Sequence, residues 1–242
     1  MSVLSGKKIL LGITGGIAAY KAPLIVRLLK SKKAEVRVIM TPAAKDFVTP
    51  LTLSTLSGNP VLSSFTDSQD DNPVWNNHVE LGKWADLFII APATSLTISA
   101  MVNAKCNNLL IATYLSCRSK VYIAPAMDLD MYNHPSNQSN LEKLKSIGNE
   151  VLPVGEGFLA SGLHGKGRML EPEEITKKLE QDILDNYDGL GTGIIDPAAA
   201  SAADKLIGDT AISDEDVLAF ADREGGTVTP EVNRCSSPAR TV

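Results

Sequence analysis

Lys8-Ile9-Leu10-Leu11-Gly12-Ile13-Thr14-Gly15-Gly16-Ile17-Ala18-Ala19-Tyr20-Lys21 is the stretch that decides the fold. It runs from an apolar segment, Lys8–Ile13, through a glycine pair into Ile17–Leu29, where apolar residues recur at helical spacing. A strand apolar throughout must be buried on both faces, which a parallel sheet covered by helices provides. The alternation repeats along the chain. Val36–Met40, Leu87–Ala91 and Val121–Ala124 read as strands, and Val151-Leu152 begins a fifth. Pro50–Leu56, Leu96–Met101, Asn108–Leu115, Ser136–Ile147 and Glu171–Leu184 read as helices, the last with Pro172 in its first turn. The pattern predicts an open, doubly wound α/β fold whose ligands bind beyond the carboxyl ends of the strands.

Four segments fall at those ends. Gly12–Ala18 carries Gly15-Gly16, which lets backbone N–H groups approach a phosphate at a helix start. Its spacing is neither G-x-G-x-x-G nor a P-loop. Thr41, before Pro42, offers a hydroxyl to a ribityl chain or phosphate, or caps a helix. Ala91-Pro92-Ala93-Thr94-Ser95 places two further hydroxyls at a helix start. Pro125-Ala126-Met127-Asp128-Leu129-Asp130-Met131-Tyr132 pairs polarizable methionines with carboxylates.

Candidates for proton transfer are limited by the chain's three histidines. His78 stands upstream of the Leu87 strand, and His134, before Pro135, reads as a turn residue. His164 lies in Ala160–Met169 with three glycines, Lys166 and Arg168, a segment that reads as a mobile flap over an anionic ligand.

Composition narrows the classes further. The 242 residues carry a net charge of −5 without a long Lys/Arg run, which argues against a nucleic-acid surface. No apolar stretch reaches the roughly 18 residues of a membrane span, and no secretory signal is visible. Cys106, Cys117 and Cys235 are odd in number and lie at no metal-ligand spacing. They fit a reducing compartment and no metal site, so the expectation is a soluble cytoplasmic protein. The charge divides unevenly: residues 183–242 hold 11 acidic and 4 basic side chains, leaving the remainder at +2. The expected organisation is one domain over residues 1–184 and an acidic, low-complexity tail over 185–242, either disordered or a fused extension.

Ile13-Thr14-Gly15-Gly16-Ile17-Ala18-Ala19-Tyr20-Lys21, His78-Val79-Glu80-Leu81, Ala91-Pro92-Ala93-Thr94 and Pro125-Ala126-Met127, in that order, resemble a known family. It is that of the homo-oligomeric flavin-containing cysteine decarboxylases, with the strongest likeness to the phosphopantothenoylcysteine decarboxylase half of bacterial coenzyme A biosynthesis flavoproteins. The likeness covers roughly residues 5–182. It implies FMN, a Rossmann-like (flavodoxin-like) three-layer fold, and homotrimers that often assemble into dodecamers, with each flavin at a subunit contact.

Position by position, the resemblance places Gly15, Gly16 and Ile17 at the FMN phosphate. Thr41, Ala93, Thr94 and Ser95 fall at the ribityl chain and ring. His78 matches the family's active-site histidine, which implies a general acid/base role. Asn103, Asn107 and Asn108 match a segment lining flavin and substrate, and Met127, Asp128 and Met131 match the substrate motif. Lys166 or Arg168 would bind a substrate phosphate or carboxylate. The implied reaction is decarboxylation of 4'-phosphopantothenoylcysteine to 4'-phosphopantetheine.

Two positions depart from the family pattern. Asp128 stands where asparagine is usual; beside a substrate carboxylate it would be protonated or turned towards a cation, or it caps the helix instead. The segment 155–169 has no cysteine; Ser161 or His164 stands where the family's proton donor is expected, and His164 is a competent acid. An oxidative decarboxylase of a peptidyl C-terminal cysteine that stops at the enethiol is therefore a second reading. A flavin prenyltransferase-like relative and a non-catalytic flavin-binding regulatory subunit also remain. Nothing in the tail reads as the strand and Gly-rich turn that would begin a ligase domain, so a synthetase activity is not expected. Its Ser213–Asp222 segment reads as a short amphipathic helix, before Gly225-Gly226.

Overall fold

The computed structural model describes residues 2–66 and 74–190; for 186–190 only the helical backbone is described. The strands are β1 (Lys8–Ile13), β2 (Glu35–Met40), β3 (Val61–Leu62), β4 (Leu87–Ala93), β5 (Lys120–Pro125) and β6 (Glu150–Val151). They form one parallel sheet in the order β3-β2-β1-β4-β5-β6. This is the doubly wound Rossmann order, and the reversal of direction falls between β1 and β4. The expected three-layer fold is the one observed.

Alternation along each strand feeds two cores. Ile9, Leu11 and Ile13 of β1, with Val36, Val38 and Met40 of β2, meet α1 (Ala22–Ser31), α2 (Pro50–Ser57) and α8 (Pro172–Leu190) through Ile25, Leu29, Leu53, Ile175 and Leu179. Leu10, Phe88, Ile90 and Ile123 face the other way. They meet α3 (His78–Trp84), α4 (Ser95–Val102), α5 (Leu109–Ser116) and α7 (Pro135–Ser146) through Leu81, Ile98, Leu110, Leu141 and Leu144. Each fully buried aliphatic side chain contributes about 1.5–3 kcal/mol. Gly12 sits mid-strand because α5 lies so close: a Cβ there would come within 2.9 Å of Leu110 Cδ1.

The sequence pattern and the structure differ in places. The expected helix Ile17–Leu29 divides into a 3-10 turn, Ile17–Lys21, and α1, whose first turn holds Pro23. Proline lacks the N–H that a continuous helix would need there. A second 3-10 turn spans Pro42–Asp46. The two-residue β3, the seven-residue α3 and α6 (Leu129–Asn133) are too short to leave a periodic signal. The segment expected as a mobile flap is an antiparallel hairpin, β7 (Gly155–Phe158) and β8 (His164–Arg168), whose glycines hide the strand alternation. The Ser213–Asp222 reading and the rest of the tail beyond residue 190 lie outside the described residues. Among those described, no helix is long and apolar enough to cross a membrane.

Candidate active site

A cleft of about 920 Å³ opens where β1 and β4 end, at the reversal of the strand order. Its size suits a small molecule, and its walls come from every segment that follows a central strand. Gly15, Gly16 and Ile17 follow β1, Thr41 follows β2, and Thr94 and Ser95 follow β4. Met127, Asp128 and Met131 follow β5, and Asn107 and Asn108 precede α5. Arg168 closes one side from β8, with Phe158, Leu159 and Ala160 from the other end of the hairpin.

The close approach that shapes the cleft depends on the glycines. A Cβ on Gly15 would lie 2.6 Å from Ala43 Cβ and 2.9 Å from its carbonyl carbon. One on Gly16 would lie 3.2 Å from Thr94 Cγ2. Thr14, fully buried beneath them, joins the two strand ends. Its hydroxyl donates to Pro92 O (2.7 Å) and accepts from the Thr94 N–H (3.1 Å).

The helix starts around the cleft are left open. Gly16, Thr41, Thr94 and Asp128 occupy N-cap positions, and none accepts a capping hydrogen bond with its side chain. First-turn N–H groups have no intrahelical partner and need an external one. Elsewhere Thr49, Asn77 and His134 cap α2, α3 and α7. The alternative of Thr41 or Asp128 as a side-chain cap is therefore not what the geometry shows. Asn108 is different: it lines the cleft and also caps α5, with Oδ1 accepting from the Ile111 N–H (3.0 Å) and Nδ2 donating to Asn107 Oδ1 (3.0 Å).

Two buried side-chain polar atoms among the described residues lack any hydrogen-bond partner, Thr41 Oγ1 and His78 Nδ1. An unpaired buried polar group costs about 1–3 kcal/mol, so each marks a place where a partner is needed. Thr41 lines the cleft and His78 does not. His78 sits at the start of α3 in an aromatic cluster, with its ring edge-on to Phe65 (6.1 Å) and Trp75 (6.4 Å).

Other expected residues also lie off the lining. Ala93 is buried in β4 one residue before it, and Asn103 ends α4 with its Nδ2 donating to Ser99 O (2.8 Å). His164 packs edge-on against Phe158 at 5.2 Å, and Lys166 is exposed on the same strand. The hairpin is joined to the segment after β5: the Met127 N–H donates to Gly167 O (3.0 Å), and a Cβ on Gly167 would collide with Met127 O.

Sequence reasoning passed over three residues that shape the site. Lys21 is almost wholly buried yet lines the cleft. Its signal was available, as a cation directly before a helix whose inward face is apolar. Asn137 accepts from Ser95 Oγ (2.6 Å) and donates to Met131 O (2.6 Å), tying α7 to two walls of the cleft. Thr14 was legible only as part of a motif.

Fold and cleft together define a doubly wound α/β domain with an open cleft at its switch point. The chain belongs to the Flavoprotein family, whose model matches residues 2–184. It is 45% identical over 191 residues to the coenzyme A biosynthesis bifunctional protein CoaBC of Haemophilus influenzae, covering 79% of this chain and 47% of that protein. Over 132 residues it is 56% identical to a cysteine/cysteine sulfinic acid decarboxylase from an unknown prokaryotic organism, covering 54% of this chain and 36% of the relative. The chain thus spans half or less of the length of these curated relatives. Among solved structures, a cysteine-to-serine mutant of PPC decarboxylase complexed with pantothenoylaminoethenethiol superposes with a TM-score of 0.64 at 29% identity. That match covers 73% of this chain and 97% of the other.

Proposed function

We propose that this chain is an FMN-dependent decarboxylase of 4'-phosphopantothenoylcysteine, yielding 4'-phosphopantetheine in coenzyme A biosynthesis. The observation that carries the reading is the open cradle at the switch point, with uncapped helix starts and the orphaned Thr41 hydroxyl around one cleft. It is supported by family membership and by likeness to relatives named for this chemistry.

The residues present fit FMN. Open N–H groups after Gly15-Gly16 and at the start of α4 suit its phosphate. The hydroxyls of Thr41, Thr94 and Ser95 suit the ribityl chain, and Ile17, Leu96 and Met127 offer apolar surface to a ring. When bound, FMN supplies the two-electron redox chemistry that gives the carbanion left by loss of carbon dioxide an electron sink. The overall reaction is redox-neutral: the bond to the carboxylate carbon breaks, carbon dioxide leaves and a proton takes its place.

The chain's own residues bind, orient and move protons. Met127, Asp128 and Met131, with Asn107 and Asn108, would line the substrate's cysteine end, and Arg168 would meet an anionic group. His78 is the general acid/base, a role that suits an imidazole near neutral pH. Because it lies outside its own cleft, we place it at the cleft of a neighbouring subunit in a homotrimer. The exposed apolar residues at the cleft rim, Ile17, Tyr20, Leu96 and Phe158, are surface that such a neighbour would cover. A thiol substrate and free cysteines fit the reducing cytoplasm.

The 56% identity to a cysteine/cysteine sulfinic acid decarboxylase favours a second reading, in which free cysteine or its sulfinate takes the same site. Anaerobic incubation of the purified protein with each compound, following flavin absorbance and product mass, separates them. Our reading expects phosphopantetheine with oxidised flavin restored. A product lighter by two hydrogens with persistently bleached flavin indicates arrest at the enethiol, and turnover of free cysteine alone overturns the first reading. His78→Asn should retain FMN and lose decarboxylation; full activity would remove His78 from the mechanism.

A further inference from the structure

A charged network at the hairpin base is not accounted for by the roles above. Lys21 is 4% exposed. Its Nζ donates to Met169 O (3.0 Å) and to Glu171 Oε1 (2.7 Å). Arg168 Nη2 donates to that same Oε1 (3.2 Å). Glu171 is half-exposed, but the ammonium that faces its Oε1 is buried and held by a second hydrogen bond, so Lys21 offers that oxygen a fixed partner. Glu171 in turn holds the guanidinium of Arg168, whose side chain is 38% exposed and lines the cleft.

The backbone leaves room for this arrangement. Gly157 has φ +154°, and a Cβ there would stand 2.9 Å from Arg168 Nη1. Arg168 therefore lies across the hairpin against Gly157, whose positive φ favours glycine there. Asp128, the remaining charged residue of the lining, forms no ion pair with either cation among the described residues. Two cations share one carboxylate, and the exposed one retains donors for a further oxyanion.

We propose that Lys21 and Glu171 are positioning residues that aim Arg168 at an oxyanion of the substrate. The proposal rests on the functional reading only for the substrate used in its kinetic test. Phosphate and carboxylate share the required chemistry, and the phosphorylated and unphosphorylated pantothenoylcysteines distinguish them. A charge-assisted hydrogen bond of this kind corresponds to roughly ten- to a hundredfold in affinity.

The test uses the FMN-loaded protein. Arg168→Met should raise KM about ten- to a hundredfold with FMN retained. If the rise appears only with the phosphorylated compound, the bound group is the phosphate; if it appears with both, it is the carboxylate. Glu171→Gln separates positioning from simple charge. Removing a negative charge near an anion site should tighten binding if charge alone matters, whereas loss of aim raises KM with kcat little changed.

In the Arg168→Met background, Glu171→Gln should add nothing, because it acts through that side chain. A similar KM rise in both backgrounds, or a fall in KM in the wild-type background, overturns the proposal. Calorimetric titration with inorganic phosphate provides a readout without turnover. Weaker binding in Arg168→Met and Glu171→Gln than in wild type supports the network even where phosphopantothenoylcysteine proves not to be the substrate. Unchanged phosphate affinity together with unchanged KM rejects it. Lys21→Arg, which keeps the buried charge, guards against a Lys21→Met variant that fails to fold.

Discussion

The two ends of the parallel sheet differ in how fully their polar groups are satisfied. At the amino end, charges are paired. Lys120 bridges Glu150 and Asp182, Lys178 bridges the same two carboxylates, and Lys32 holds Glu180, which also accepts from Ser2 Oγ. Asp86 accepts the Lys8 N–H at the first residue of β1. At the carboxyl end, the helix starts after Gly16, Thr41, Thr94 and Asp128 lack side-chain caps, and the buried Thr41 hydroxyl has no partner. Satisfied polar groups hold a fold together, whereas unsatisfied ones are tolerated where a ligand completes them. The contrast separates residues that fasten α8 to the sheet from residues that leave polar groups open at the cleft.

Titration follows the same division. Burial opposes ionisation of Asp182, but hydrogen bonds from Lys178 and Lys120 outweigh it and hold the carboxyl below its usual value of 3.8. Glu180 is held below 4.5 in the same way, against burial, by Lys32 and Ser2. Burial raises the Tyr122 phenol, helped by the charge of Asp182 and a hydrogen bond to it. A carboxyl with a depressed folded-state pKa contributes stability that is fully present above its unfolded value. That stability is lost as pH falls through the lower folded value. The amino end should therefore loosen below about pH 4.

The contrast is broken most severely at Gly15. Gly15→Ala drives a methyl into Ala43, and overpacking of about 1–3 kcal/mol at a binding loop corresponds to roughly fivefold to 150-fold weaker flavin affinity. Flavin fluorescence quenching measures it, with circular dichroism confirming that the sheet persists. Next in size is Asp182→Asn at the other end. It should lower stability by about 1–2 kcal/mol, discounted because both lysine partners are more than a third exposed. Urea melts should show the loss at pH 7 and a flatter acid limb, with flavin affinity unchanged.

Thr41→Val should give the smallest effect on stability and the opposite sign. Removing an unpaired buried hydroxyl leaves the flavin-free protein as stable as before or up to about 1 kcal/mol more so. Flavin affinity should nevertheless fall, and the two melts and one titration together identify a group kept for a ligand.

Legibility followed the same line. The apolar runs at β1, β2, β4 and β5 are legible because burial on both faces requires continuous apolar sequence, and the strand-end motifs are legible because glycine and hydroxyl residues cluster there. The hairpin was not, since Gly155, Gly157, Gly165 and Gly167 replace the side chains that would alternate. Neither was the Lys21–Glu171–Arg168 network: Arg168 and Glu171 are near neighbours in the sequence, but Lys21 meets Glu171 only through the fold. His78 was identified as a residue type, but its place outside its own cleft depends on tertiary structure.

Amide hydrogen exchange, with and without FMN, tests the contrast between the two ends most directly. The account predicts new protection on FMN binding at residues 15–18, 41–44 and 94–97, and little change at the Lys120, Glu150 and Asp182 network. Protection spread evenly over both ends, or confined to the amino end, would contradict it.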